Sequence, residues 1–178
     1  MNEAMAMPPE KQCSLGVFRN PGSLLYVDNC RGLQAAAQRG ECELHAWTRG
    51  SYPGQPLQER LPGICTVGFW DARHPPDWGL ATHCNEGFKI AYLARGSLDL
   101  VVDDLPHSFE QGQFIIIRPW QLHSIGSPNI GSSRLLWIML DGGLRRPSEA
   151  WQWPDWLVLS DEEAETLGRL LTQNDQPV

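Results

Sequence analysis

Residues 83–89 read His-Cys-Asn-Glu-Gly-Phe-Lys, and six residues then separate Lys89 from Gly96. Farther on, Gly112 is followed by five residues and by Arg118-Pro119-Trp120-Gln121-Leu122-His123. Alternate residues of an extended strand face the same side, so positions 83, 85 and 89 share parity and are expected to point together into an interior. Around these two stretches lie strand-length segments rich in Ile, Val, Leu and aromatics: 64–70, 88–94, 98–102, 113–117 and 134–140. Asp103-Asp104-Leu105-Pro106 and Ser127-Pro128-Asn129 supply turn chemistry between them. Short strands punctuated in this way predict an all-β sandwich or barrel.

Outward from this centre the signals thin. Residues 1–14 are polar, contain Pro8-Pro9 and read as a loose arm, and 15–158 form the expected barrel domain. Within 15–60, residues 23–27 and 43–47 are strand-like, 32–39 are too short and Gly-bounded to be assigned a helix, and 49–56 form a Pro/Gly turn region. The last segment, 159–178, carries one helix. Ser160 with Glu163 forms a capping box, Asp161, Glu162 and Glu163 complement the helix dipole, and Ala164, Leu167, Leu170 and Leu171 share an apolar face. That face packs on the barrel or on a second subunit.

A net charge of −7 with a pI near 5.1 provides no positive field for phosphates, so the chain is not expected to grip DNA by itself. No apolar run is long enough to span a bilayer, and the first residues lack a secretory core, which places the protein in the cytoplasm with no membrane partner. Five widely spaced cysteines without a C-x-x-C pair read as small buried or half-buried thiols, not as a disulfide framework or zinc knuckle.

The two opening stretches resemble the paired motifs of cupin barrels, H-x-H-x3-E-x6-G and G-x5-P-x-G-x2-H. The resemblance implies a double-stranded β-helix, or jelly roll, and in metal-binding members a set of three histidines and a glutamate that holds Fe, Mn or Zn. Here His83 and His123 keep the spacing, whereas Asn85 and Lys89 stand in place of a histidine and the glutamate. Two unit charges ~4 Å apart interact by about 4 kcal/mol at an effective dielectric of 20, and a divalent ion doubles it. An ammonium beside the ion therefore works against two imidazoles, and no metal or other cofactor is expected. Glu86 would be the one replacement carboxylate, yet its parity sets it on the opposite face. His83, Asn85, Lys89, Arg118 and His123 instead make an interior polar cluster that is costly to bury unpaired and suits a polar ligand. Single buried histidines bonded to backbone carbonyls are the plainer reading of His83 and His123.

Eight tryptophans are several times the usual share. Trp137 reads as core, Trp70 and Trp78 flank a turn near the same opening, and Trp120 is the one expected to stack on a ligand at the barrel mouth.

From residue 60 to 172 the order of features resembles the N-terminal effector domain of AraC-type transcription regulators. The residues that carry this resemblance are Tyr92-Leu93-Ala94-Arg95-Gly96, Gly112-Gln113-Phe114, Arg118-Pro119-Trp120, His123 and Leu136-Trp137-Ile138-Met139-Leu140. Arg145-Arg146-Pro147, Trp151-Gln152-Trp153-Pro154 and the closing helix complete it. It implies a metal-free barrel that binds a small effector, often a sugar, an N-terminal arm that closes over it, and a homodimer built on the later helices. DNA would be contacted only through a helix-turn-helix unit, and no such basic segment follows the acidic helix. The resulting expectation is a non-catalytic sensor for a small polar metabolite, with His83, Asn85, Lys89, Arg118, Trp120 and His123 as its binding residues. The competing readings are a metal-dependent dioxygenase or isomerase, using His83, His123 and Glu86 around Fe or Mn, and a purely structural dimerisation module.

Overall fold

The computed structural model describes residues 17–20, 23–26, 30–49, 52, 54–57, 62–126, 128–144, 146, 149, 152–153 and 155–173, the first two segments and the last two residues by backbone alone. The arm at 1–14, Cys13, most of 145–151 and the tail at 174–178 lie outside them. In chain order the elements are β1 (Val17–Asn20), β2 (Ser23–Tyr26), α1 (Arg31–Gln38), β3 (Glu43–Thr48), β4 (Gln55–Pro56), β5 (Ile64–Ala72) and β6 (Leu80–His83). They continue as β7 (Phe88–Arg95), β8 (Ser97–Val102), β9 (Leu105–Glu110), β10 (Phe114–Ile117), β11 (His123–Ile125), β12 (Ser133–Leu140) and α2 (Asp161–Gln173).

Beside the β1-β2 hairpin, two sheets enclose the core. One has six strands in the order β10-β7-β12-β5-β3-β4, the other four in the order β6-β11-β8-β9. From β5 onward the chain passes repeatedly between them: β5 lies in the large sheet, β6 in the small, β7 in the large, β8 and β9 in the small, β10 in the large, β11 in the small and β12 in the large. This winding is the all-β cupin jelly roll, here with one C-terminal helix. The inward faces follow the two-residue period of a strand. Leu98, Leu100 and Val102 of β8 are buried, as are Ala91 and Leu93 of β7 and Leu135 of β12.

Particular residues force the crossings. At Gly87, between β6 and β7, a Cβ would collide with the Leu140 carbonyl. Gly96, between β7 and β8, has φ +84° and would strike the Ser132 carbonyl if it carried one. Asp103 and Asp104, with φ of 48° and 65°, form the tight turn from β8 to β9, the two-residue hairpin conformation with positive φ at both positions. Leu105 and Pro106, read from sequence as part of that turn, instead begin β9. The proline is tolerated because β9 is an edge strand.

Two expectations are corrected. Residues 31–38 are a helix, α1, although Gly32 had argued against one. Leu33 and Ala36 are buried in the main core, and this tertiary contact outweighs a weak start with no side-chain cap. The shared parity of 83, 85 and 89 is also not a matter of one strand. His83 ends β6 in the small sheet and Lys89 is the second residue of β7 in the large one, so the two come from different sheets. The terminal helix packs on the barrel: Leu171 and Leu167 join Phe88, Ile116, Leu144 and Trp153, while Leu170 is exposed. Its capping box is complete, with Ser160 N–H donating to Glu163 Oε2 (2.8 Å) and Glu163 N–H to Ser160 Oγ (3.3 Å). No helix among the described residues is long and apolar enough to cross a membrane.

Candidate functional site

His123 and His83 face each other as a cross-strand pair of β11 and β6. Direct pairing brings their rings to 4.2 Å between centroids. Each ring is tethered in the same way. Nδ1–H of His83 donates to the Ala81 carbonyl (2.6 Å) and Nδ1–H of His123 to the Gln121 carbonyl (2.9 Å), so in the neutral rings the lone pair sits on Nε2. The Asn85 amide donates to His123 Nε2 at 3.2 Å. His123 is held neutral, its pKa driven well below the ordinary value by burial and further by the nearby His83 and Lys89. His83, Asn85, Lys89 and His123 are thus gathered and buried together.

The other two candidate residues make contacts of a different kind. The Arg118 guanidinium lies 3.8 Å from the Asp103 carboxylate on the half-exposed side of the β8-β9 turn. Trp120 is buried instead of lying open at a mouth, and packs with Cys84, Tyr52 and Leu122. It occupies the position of the second motif's glycine, at i+2 of a turn closed by Gln121 N–H donating to the Arg118 carbonyl, and its φ is +62°. Trp120 N–H donates to the Asn85 carbonyl at 2.7 Å and Cys84 Sγ–H to the Trp120 carbonyl at 3.4 Å. Trp120 therefore fixes the backbone of Asn85.

A cavity of about 30 Å³, room for about two water molecules, lies between the sheets. Asn85 and Lys89 reach it, together with Thr66, Trp70, Trp137 and Met139 of the large sheet. Three cross-strand rows build that wall: Lys89-Met139-Thr66, then Ala91-Trp137-Gly68, then Leu93-Leu135-Trp70-Leu44. Gly68 leaves space for the Trp137 indole, which a Cβ would strike. Cys30 and Leu33 at the start of α1, with Tyr52, also line the cavity. Sequence reading missed these three because none carries a motif; only the fold returns α1 to the barrel.

The residues do not fit a divalent metal. Among the described residues no three of His, Cys, Asp and Glu are placed to hold one, so Glu86 does not complete the histidine pair. The amide of Asn85 is already on His123 Nε2, and Lys89 brings positive charge to the same space.

Two sheets wound in this way around an interior cavity make a cupin fold. A sequence model of the AraC-like ligand binding domain matches residues 71–172, more than half of the chain, and the chain belongs to that family. No curated protein matches it. Among solved structures it is similar to the Schizosaccharomyces pombe Cnp3 cupin domain (13% identity, 58% of this chain and 67% of that one, TM-score 0.43). It is also similar to a cupin superfamily protein from Desulfitobacterium hafniense DCB-2 (10%, 55% and 77%, TM-score 0.41). A conserved protein of unknown function from Streptococcus pyogenes is a third (10%, 56% and 75%, TM-score 0.41).

Proposed function

We propose that this chain is the effector-sensing part of an AraC-type transcription regulator. It binds a small polar metabolite, sugars being the class the resemblance implies, works in the cytoplasm without catalysis, and pairs with a second copy. DNA is contacted through a helix-turn-helix unit outside this chain. One observation carries the reading: a cavity inside a family barrel is lined by buried Lys89 and Asn85 and by Cys30, Leu33 and Tyr52 from outside the barrel strands. A ligand in it touches the start of α1 as well as the sheets. Its binding therefore favours one arrangement of α1 over another, which is what a sensor needs.

Calorimetric titration with sugars, sugar acids and organic acids tests this, with amide hydrogen exchange on α1 as the second readout. Saturable binding that changes α1 exchange supports the reading. Absence of binding across all classes, or binding that Asn85→Leu, Lys89→Met and His123→Gln all leave unchanged, refutes it. The competing metal-enzyme reading is checked by elemental analysis of protein purified without added metal: near-stoichiometric Fe, Mn, Zn, Ni or Cu would put it first.

A further inference from the structure

We infer that a second copy of this chain docks on the outer face of the six-stranded sheet. The inference rests on the pairing in the proposed function and deepens it, setting that pairing on the barrel where the resemblance implied the later helices. On these strands the residues that face the core alternate with residues that face out. One outward row runs Phe114-Tyr92-Leu136-Phe69-His45 through β10, β7, β12, β5 and β3. The adjacent outward row crosses the same strands from Ile116 to Trp47 through Ile90, Ile138 and Val67. Every member of the two rows but His45 is aliphatic or aromatic, and none is buried. Phe114, Trp47 and Leu136 are 61%, 42% and 41% exposed. The outer face of an antiparallel sheet that meets water ordinarily carries polar residues at these alternate positions.

Five strands and two rows make an apolar strip of roughly 24 Å by 14 Å at the usual strand spacing and rise. Its flat area of roughly 340 Å² is that of a functional patch, and a stable pair takes about 800 Å² from each partner. The strip is therefore the centre of an interface whose borders supply the rest, and the borders point to a second copy. Along one border Arg95 and Arg134, both half-exposed, share the buried Asp71 carboxylate at 2.6 and 3.6 Å. Exposed Glu43 lies beyond them on β3, bonded to His45. Two cations on one carboxylate leave positive charge over β7 and β12. Along the opposite border lies α2, whose Leu167 and Leu171 pack with Phe88 of β7 and Ile116 of β10. That helix exposes Asp161, Glu162, Glu163 and Glu165 against the single cation Arg169. A two-fold axis across the strands turns the positive border of each chain toward the acidic helix of the other. Opposite charges at opposite edges of an apolar strip make this face complementary to itself, as a two-fold interface requires.

The test is sedimentation equilibrium of the full chain at concentrations up to about 100 µM, a range that detects even weak pairing. The unaltered chain is expected to form dimers and Leu136→Lys to raise the dissociation constant ten-fold or more. Leu105→Lys, at an equally open leucine on the edge of the other sheet, is expected to change it less than three-fold. Hydroxyl-radical footprinting of the unaltered chain, dilute against concentrated, reads the same face without any variant. Phe114 and Trp47 should oxidise at least three-fold more slowly in the dimer, and Leu105 at an unchanged rate. A dimer in which Phe114 and Trp47 stay as reactive as in the monomer, or a Leu136→Lys chain that pairs as tightly as the parent, overturns the inference and leaves pairing through the helices standing. A chain that stays monomeric overturns both the inference and the pairing, while effector sensing stands or falls separately on the ligand titration.

Discussion

Lowering the pH is expected to destabilise this barrel through His123. In the folded chain the ring is buried, accepts at Nε2 from Asn85 and has its pKa held well below 6.5 by burial and further by the neighbouring His83 and Lys89. In the unfolded chain it titrates near 6.5. Its folded pKa is depressed, so the neutral ring's contribution is fully present above 6.5 and is lost as pH falls below it. The unfolded state takes up a proton that the folded ring resists, so the loss between pH 7 and pH 5 is at most about 2 kcal/mol. Urea unfolding of the unaltered chain and of His123→Gln, followed by tryptophan fluorescence at pH 7 and pH 5, isolates this contribution. The variant should lose less than the parent over that interval, by up to about 2 kcal/mol. Identical losses in the two proteins would show that His123 takes up its proton as readily folded as unfolded, and would refute the account of the buried pair.

At position 120 the usual order of substitutions should invert. Trp120→Ala should cost about 3–5 kcal/mol through lost burial, whereas Trp120→Gly should be the more stable of the two by about 1 kcal/mol, because φ of +62° suits glycine; chemical denaturation of both variants measures the difference. Ser160→Ala should cost about 1 kcal/mol by opening the capping box of α2, seen as a lower melting temperature. Cys42 and Cys84, whose pKa values burial raises to about 11, should react with a thiol reagent at pH 8 far more slowly than half-buried Cys30 and Cys65; equal rates in the folded protein would contradict their burial.

Much of the fold was legible from the residues. The strands at 64–72, 88–95, 97–102, 114–117 and 133–140 lie within a residue or two of their sequence bounds, because each is an apolar run ended by glycine, proline or aspartate. The capping box announced the start of α2. Short β6 and β11 and the edge strand β9 were not legible: three or four residues carry little periodicity, and Pro106 reads as a turn unless the edge position is known. For the site, spacing marked His83, Asn85, Lys89 and His123, and it also singled out Arg118, which pairs with Asp103, and Trp120, whose backbone bonds Asn85.

By itself the sequence determined the barrel class, the family resemblance, the histidine pair and the substitution of Asn85 and Lys89 at two motif positions, since these depend on residue type and spacing along one chain. The tertiary structure alone decided that His83 and Lys89 come from different sheets, that Trp120 fills a glycine position beside Asn85, and that Cys30, Leu33 and Tyr52 join the cavity lining. Such contacts join segments tens of residues apart. They are set by how two sheets wind around a shared core, and no local pattern in the chain records that winding.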